Sequence, residues 1–110
     1  MDIKYKINYL EQAILEIHDH YSKMINEDIK MNRVNKHSDK FLDEWMRVET
    51  TLSMYPEMGN QIKKITNLDV DYRWIRVIST LWFIYFVKSS EIWIDSLIDT
   101  RMNNKGIKYS

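Results

Sequence analysis

The chain contains no cysteine, one proline and two glycines among its 110 residues. The absence of cysteine excludes disulfides, thiolate metal sites and a cysteine nucleophile, and it fits a reducing cytoplasm. Because the only glycines are Gly59 and Gly106, the chain has no glycine-rich loop of the kind that holds phosphates. No serine stands in a nucleophile-elbow sequence either. The familiar motifs of phosphate-binding and nucleophilic enzymes are therefore missing.

The chain also lacks an excess of charge of either sign. Sixteen Lys and Arg balance sixteen Asp and Glu, so the whole molecule does not attract nucleic acid or an anionic membrane over long range. The first residues lack the apolar run of a signal peptide, and the longest apolar stretch is shorter than the roughly 20 residues that span a membrane. The sequence predicts a cytoplasmic protein that binds through local surface patches.

Apolar residues are plentiful and make up 45% of the chain, which is enough for the core of one domain. Fifteen isoleucines against a single alanine are typical of AT-rich coding sequence, which indicates a low-GC bacterium or one of its phages or plasmids. There is no internal repeat and no long linker. We expect one helical domain over residues 1–103 and a loose tail over residues 104–110.

Two N-terminal segments show the apolar spacing of helices. The first predicted helix ends between residues 28 and 32, and its apolar positions step by four and three: Ile3, Ile7, Leu10, Ile14, Ile17, Tyr21 and Met24. The second begins after a cap at Ser38 or Asp39 and ends at Pro56, with an apolar face made of Phe41, Trp45, Val48, Leu52 and Tyr55. A short third helix is predicted over residues 61–67.

The stretch from Trp74 to Val87 is predicted to be the central helix of the core. Eleven of its 14 residues are apolar, and on a helical wheel Trp74 and Leu81 share one face opposite Arg76. The predicted fold class is all-α, a small antiparallel bundle of four or five helices with a central apolar helix over about residues 70–88.

Beyond Lys88 the apolar face of this wheel moves by roughly half a turn. In one reading, Ser89 or Ser90 caps a separate last helix over residues 90–102 that folds back on the bundle. In the other, the central helix continues through residues 90–102 and buries its second half against another copy of the chain, giving a homodimer. We favour the break, because the two serines offer local capping.

No catalytic, cofactor-binding or metal-ligating residues are predicted. His18 and His20 flank the first apolar face and point more than about 100° apart, so they do not readily share a metal. Glu16 and His20 have a spacing that a metal can use, but no second helix carries the matching Glu-x-x-His. We therefore predict that the protein is not an enzyme and holds no cofactor.

The last segment carries the residues predicted for a protein interface. Trp82 and Trp93 lie on the same side of the continued wheel, and tryptophan is a common interface anchor. Glu91, Asp95 and Asp99 form an acidic ladder with a spacing of four residues, which is unfavourable in an isolated helix and suits a basic docking surface. These five residues are the predicted site for a protein partner.

A second surface carries basic residues, namely Lys63, Lys64, Arg73 and Arg76, and is the predicted site for any contact with nucleic acid. Residues 48–65 also resemble the pattern of a helix, Tyr-Pro and a basic helix in small phage late-transcription activators. That resemblance implies DNA binding through a downstream helix-turn-helix. The chain departs from the pattern after Ser90, where it has no room for a recognition helix. The neutral net charge does not favour nucleic acid as a partner.

The predicted function is a non-catalytic protein-binding module that acts by steric occlusion of its partner, with no membrane partner. Its size and lack of motifs fit a phage or mobile-element inhibitor of a host defence or replication protein, such as an anti-CRISPR protein, acting in the host cytoplasm. The alternatives are a small DNA-binding transcriptional regulator and a bacteriocin immunity protein. The sequence does not identify the partner, and it leaves open whether the chain is a monomer or a homodimer.

Overall fold

The structure is a computed structural model that describes residues 4–34, 36–62 and 70–101. Its elements, in chain order, are β1 (Lys6–Tyr9), α1 (Glu11–Met31), α2 (His37–Met54), β2 (Asn60–Gln61), β3 (Arg73–Ile78), β4 (Leu81–Lys88) and β5 (Glu91–Asp99). The strands form one sheet in the order β1-β5-β4-β3-β2. β1 is parallel to β5, and the other neighbours are antiparallel. The fold is α+β, so the prediction of an all-α bundle is wrong.

The predicted central helix is instead the hairpin of β3 and β4. Ser79 and Thr80 form its turn, and Ser79 has a positive φ of 51°. The predicted last helix over residues 90–102 is β5, and Ser89 and Ser90, with φ of 54° and 62°, close the preceding turn instead of capping a helix. β-Branched and aromatic side chains fit the pleated surface of a sheet better than a helix. The apparent rotation of the apolar face on the helical wheel therefore came from the two-residue alternation of side chains along the strands.

Both helices pack on one face of the sheet and close a single core. Its buried residues come from α1, α2, β3, β4 and β5, and they are Ala13, Ile17, Phe41, Val48, Leu52, Val77, Leu81, Phe83, Tyr85, Ile92, Ile94 and Leu97. Phe83 and Tyr85 are fully buried, and residues on either side of them along β4 are turned away from the helices. The core thus lies between the helical hairpin and one side of the sheet, and in the part of the chain that the structure describes the opposite side is formed by the strands alone.

The helices themselves were predicted with mixed success. α2 is confirmed: Phe41, Val48 and Leu52 are buried, and the helix ends at Met54, before Pro56. α1 begins only at Glu11, because the residues before it form β1 and pair with β5. Of the third helix predicted over residues 61–67, Gln61 belongs to β2 and residues 63–67 lie outside the described residues, as does the predicted tail over 104–110.

Asp28 fastens the two helices together and takes the place of the predicted caps at Ser38 or Asp39. Its side chain is buried and accepts hydrogen bonds from the backbone N–H groups of His37 at 3.1 Å and Ser38 at 2.9 Å. The Ser38 hydroxyl at 2.7 Å and the Arg33 guanidinium at 3.2 Å complete the set. The carboxylate at the end of α1 therefore satisfies donors at the start of α2, where a negative charge also suits the helix dipole.

We expect this contact to make the protein sensitive to acid. Burial alone would raise the pKa of Asp28, but the donors from Ser38, His37 and Arg33 outweigh burial and hold the pKa well below its usual range. A depressed folded-state pKa stabilises the fold above the unfolded pKa of about 3.9. That stabilisation is lost as the pH falls below this value towards the folded-state pKa.

Asp28→Asn is accordingly expected to lower the melting temperature at pH 7 and to flatten its fall below about pH 4. Circular-dichroism melts between pH 2 and 7 measure both effects. Asp19→Asn is the matched control, because the Asp19–Lys23 pair is exposed and is expected to contribute little. An equal loss of melting temperature below pH 4 in the wild type and in Asp28→Asn would contradict this role for Asp28.

Candidate functional site

The side of the sheet that faces away from the helices is the candidate functional site. Cross-strand pairing sets Trp74 opposite Ile84, and Trp82 lies between Arg76 on β3 and Ile98 on β5. None of these side chains belongs to the helix-covered core, although Ile84 is itself buried. We call this surface the open face and define it by Tyr72, Trp74, Arg76, Trp82, Ile84, Phe86, Trp93 and Ile98.

Aromatic rings dominate the open face. Trp74 and Trp82 stack with ring centroids 3.9 Å apart and planes within 11° of each other. Tyr72 meets Phe86 edge to face at 5.2 Å, and Phe86 lies opposite Trp93 on β5. All five rings are partly exposed. The buried indole N–H of Trp74 also has no hydrogen-bond acceptor in the part of the chain that the structure describes. Rings held in this way offer a large apolar contact area at little entropic cost.

Of the predicted basic residues, the two that the structure describes, Arg73 and Arg76, lie in different environments. Lys63 and Lys64 lie outside the described residues. Arg73, the first residue of β3, forms an ion pair with the Asp71 carboxylate at 2.9 Å. It also donates hydrogen bonds to the carbonyl oxygens of Glu57 and Gly59. Arg76 is exposed on the open face and, within residues 4–34, 36–62 and 70–101, has no ion-pair partner. Of the two described members of the set, Arg76 is the one that is placed to meet a ligand.

Asp95 lies at the β5 margin of the open face, where the pairing of β4 and β5 shifts register. Burial raises the pKa of the Asp95 carboxyl, and a hydrogen bond with Ser96 offsets part of that rise. Burial and the charge of Asp95 raise the pKa of the Tyr72 phenol on the open face. Burial, again with a contribution from Asp95, raises the pKa of Glu16 on α1. The negative charge of Asp95 is therefore poorly solvated, and it influences both Tyr72 on the open face and Glu16 on α1.

The predicted interface residues are only partly brought together. Trp82 and Trp93 share the open face, with Asp95 at its margin. Glu91 is the first residue of β5, where it accepts a hydrogen bond from the Asn8 amide and pairs weakly with Lys6. Asp99 is buried. It is the strand partner of Leu81 in the sheet, and its carboxylate forms an ion pair with Arg101 at 2.7 Å. The predicted acidic ladder does not form on a strand, and the role of these residues in binding a protein stays a prediction.

The predicted site did not include Tyr72, Trp74, Ile84 or Phe86. No alternation of polar and apolar residues marks them, because every residue from Trp82 to Phe86 is apolar; only when this stretch is read as a strand does every second residue fall on the open face. The helical wheel separated these residues, whereas a strand pattern would have aligned them with Trp93.

A separate cavity of about 1110 Å³ lies between α1 and the far ends of β4 and β5. Its lining mixes acids with bases, including Glu16, Lys23, Lys40 and Arg101, so it has no clear charge preference. His20 and His37 also line it. Among the described residues, no group of three or more His, Cys, Asp or Glu is placed to hold a metal ion. The cavity therefore points to no particular ligand.

The arrangement of helices and strands in this chain is similar to that in two solved structures. The match to the YoeB dimer from Staphylococcus aureus has 17% identity, covers 84% of this chain and 93% of that one, and has a TM-score of 0.52. The match to the chromosomal ParDE toxin–antitoxin system from P. aeruginosa has 15% identity, covers 87% and 96%, and has a TM-score of 0.57. The chain has a YoeB/ParE-like fold. No family model and no curated protein sequence matches it.

The YoeB/ParE-like fold corrects the predicted function. The prediction of an anti-CRISPR-like inhibitor from a phage or mobile element is wrong, because the structural neighbours are YoeB and a ParDE toxin–antitoxin system. The same neighbours give no support to a DNA-binding transcriptional regulator or to a bacteriocin immunity protein. They leave an enzymatic role open, so the prediction that the chain is not an enzyme stays a prediction. None of the described helices is long and apolar enough to cross a membrane.

Proposed function

We propose that this chain is the toxin-like member of a toxin–antitoxin pair and that its open face binds a protein partner. The likeness of the whole fold to YoeB and to the ParDE toxin–antitoxin system supports the first part. The partner is the protein that covers the open face and keeps the chain inactive. In this proposal the chain acts in the cytoplasm of the cell that makes it.

The observation that carries the second part is the aromatic composition of the open face. Five partly exposed rings and one exposed arginine occupy a sheet surface that neither helix covers. Aromatic residues and arginine are enriched where protein interfaces have their strongest contacts. Solvated sheet faces normally alternate polar residues outward, so an aromatic face is costly unless something covers it.

An enzymatic mechanism for the toxin is compatible with this proposal. Among the described residues, the ionisable groups of the open face are Arg76 and Tyr72, and Asp95 lies beside it at the bulge of β5, separated from Arg76 by the width of β4. A substrate that bridged them would lie across the stacked rings of Trp74 and Trp82. The same surface would then serve the target and the inhibiting partner, and the two would compete for it.

Growth after induced expression in a bacterial host tests the proposal. We expect the chain alone to arrest growth, and co-expression with the product of the adjacent gene to restore growth and to yield a complex that can be purified. In that complex, Trp82→Ala is expected to cost about 2 kcal/mol of binding, or roughly thirtyfold in affinity.

Met46→Ala is the matched control, because Met46 is a similarly large apolar side chain exposed on α2, away from the open face. It is expected to leave both arrest and partner affinity unchanged. Thermal melts of both variants separate lost binding from lost folding. Absence of growth arrest by a folded, soluble chain would count against the toxin-like role, and equal effects of the two variants would count against the open face.

A further inference from the structure

Two exposed cations mark the two ends of the open face along β4. Arg76 is the strand partner of Trp82, at the end of β4 that follows the hairpin turn. Lys88 lies two residues beyond Phe86 at the other end of β4, so it is on the same side of the sheet. Both are exposed, and no described residue forms an ion pair with either. Six steps of about 3.3 Å along β4 put the two ends about 20 Å apart.

The acids around the open face leave this positive charge uncompensated. Glu91 is the strand partner of both Lys88 and Lys6, but its carboxylate already pairs with the Lys6 ammonium at 3.9 Å. Asp95 lies at the bulge of β5, on the far side of β4 from β3. Neither β3 nor β4 contains an acid. The surface along these two strands therefore has a cation at each end and no acid of its own strands between them.

The surface between the two cations is aromatic. Trp74 and Trp82 form the stacked pair, and Tyr72 meets Phe86 edge to face. We call these four residues the aromatic strip. Ile84 lies between Trp82 and Phe86 along β4 but is already buried, so the rings form the contact surface. A partner that covers the strip must be apolar along its length and negatively charged at both ends.

A helix is the secondary structure that suits such a strip. The backbone donors and acceptors of a sheet point to neighbouring strands within the sheet, so its face offers none to a ligand. A single extended segment laid on the rings would bury some of its own backbone groups unpaired, whereas a helix pairs them internally. Helices also cover the opposite face of this same sheet. A helix of about four turns, or roughly 14 residues, spans about 20 Å.

We propose that the open face binds an acidic amphipathic helix of the partner protein. Apolar side chains of that helix cover the aromatic strip, and acidic side chains about four turns apart pair with Arg76 and Lys88. The helix lies along β3 and β4, away from Asp95, whose charge would repel its acids. This inference rests on the proposed function in taking the open face as the surface that a protein partner covers, and it adds the chemistry of that partner.

The same observations favour a polypeptide over a single-stranded nucleic acid. Proteins that bind single strands line the path of the phosphates with cations and offer open ring faces to successive bases. On β3 and β4 the exposed cations lie only at the two ends of the aromatic strip. Trp74 and Trp82 also stack on each other at 3.9 Å, which uses one face of each ring that a base would need.

A phage-displayed library of helical peptides, each of about 18 residues, tests the proposal when it is panned on the folded chain. Counter-selection on the Trp82→Ala variant removes peptides that bind elsewhere. We expect the remaining peptides to share apolar residues at helical spacing and acidic residues near both ends. The most enriched peptide, synthesised with a fluorescent label, is then the probe for anisotropy titrations.

Reversal of either cation is expected to weaken binding of this probe by about tenfold, because Arg76→Glu and Lys88→Glu each place like charges together. The two sites are about 20 Å apart, so the double variant should lose about 100-fold. A probe with lysines in place of its acids should bind the double variant to within about tenfold of the original pair. Lys40→Glu reverses an exposed charge on α2 and is the matched control, which should leave binding unchanged.

A library that yields no binder, peptides without acids, or charge reversals that leave the binding of folded variants unchanged would overturn the proposal. Binding of a labelled single-stranded RNA of about 20 nucleotides, lost in Trp82→Ala, with no peptide selected, would assign the face to nucleic acid instead. Peptide binding without growth arrest would remove the toxin-like role alone. A complex with the adjacent gene's product that Trp82→Ala weakens and the charge reversals do not would keep the proposed function and remove this inference.

Discussion

Replacing Phe83 with alanine is expected to lower the free energy of unfolding by about 3–5 kcal/mol, the usual cost of deleting a buried phenylalanine ring. Phe83 is fully buried on the helix-covered face of β4. Phe86 lies three residues along the same strand but on the open face, where it is partly exposed. Phe86→Ala is expected to cost only about 1 kcal/mol, because less apolar area is lost and no closed cavity is left.

Urea unfolding of the two variants, followed by circular dichroism, measures this contrast with the same amino-acid change on the same strand. The comparison also tests the strand itself, because residues three apart lie on the same side of a helix and on opposite sides of a strand. Equal losses of stability for Phe83→Ala and Phe86→Ala would contradict the assignment of the two faces. Phe86→Ala should also retain the far-ultraviolet spectrum of the wild type.

Gly59→Ala is expected to destabilise the protein by about 3 kcal/mol, through overpacking and the loss of two buried hydrogen bonds. A Cβ atom added at Gly59 would lie 2.5 Å from the phenol oxygen of Tyr85 and 2.8 Å from the carbonyl oxygen of Trp74. That phenol accepts a hydrogen bond from the Gly59 N–H at 2.8 Å and donates one to the Pro56 carbonyl at 2.9 Å. The turn between α2 and β2 therefore has no space for a side chain here.

A double-mutant cycle with Tyr85→Phe sharpens this test. Removing the hydroxyl is expected to cost about 1–2 kcal/mol by itself, since it leaves the Gly59 N–H and the Pro56 carbonyl without a partner. Gly59→Ala should then cost less in the Tyr85→Phe background, because the closest contact is gone. Asn60→Ala, at the exposed neighbouring position, is the control and should change stability by less than about 0.5 kcal/mol. Additive losses in the cycle would show that the Tyr85 hydroxyl does not limit the space at Gly59.

The sequence allowed α2 to be predicted because its environment is uniform along its length. Phe41, Val48 and Leu52 face one core, so helical spacing and burial coincide. β3 and β4 gave no such signal, since apolar residues occupy both faces of the strands and the alternation of polar and apolar residues disappears. A continuous apolar run fits a buried helix as well as a strand. The turns at Ser79 and Ser89 also lack the Asn-Gly or Asp-Gly pair that marks a hairpin in sequence.

The candidate site was predictable only in part for the same reason. Trp82 and Trp93 were predicted to share a surface, and in the structure they share the open face, although strand pairing and not a helix brings them together. The placement of Asp95 depends on the register shift between β4 and β5, which no local pattern announces. Arg73 and Arg76 look equivalent in the sequence, but only the pairing of β3 shows that one is held by Asp71 and the other is left exposed.

The parallel pairing of β1 with β5 imposes an order on folding. The hydrogen-bonded side chains of Asn8 and Glu91 are 83 residues apart in the chain, so this contact closes a long loop and forms slowly. The β3–β4 and β4–β5 hairpins can form earlier, because their strands are joined by short turns. During synthesis β1 emerges first and has no strand to pair with until β5 has been made. The sheet that carries the open face is therefore completed late, and a ribosome-bound chain that stops before β5 lacks both the finished core and the Asp95 margin of the site.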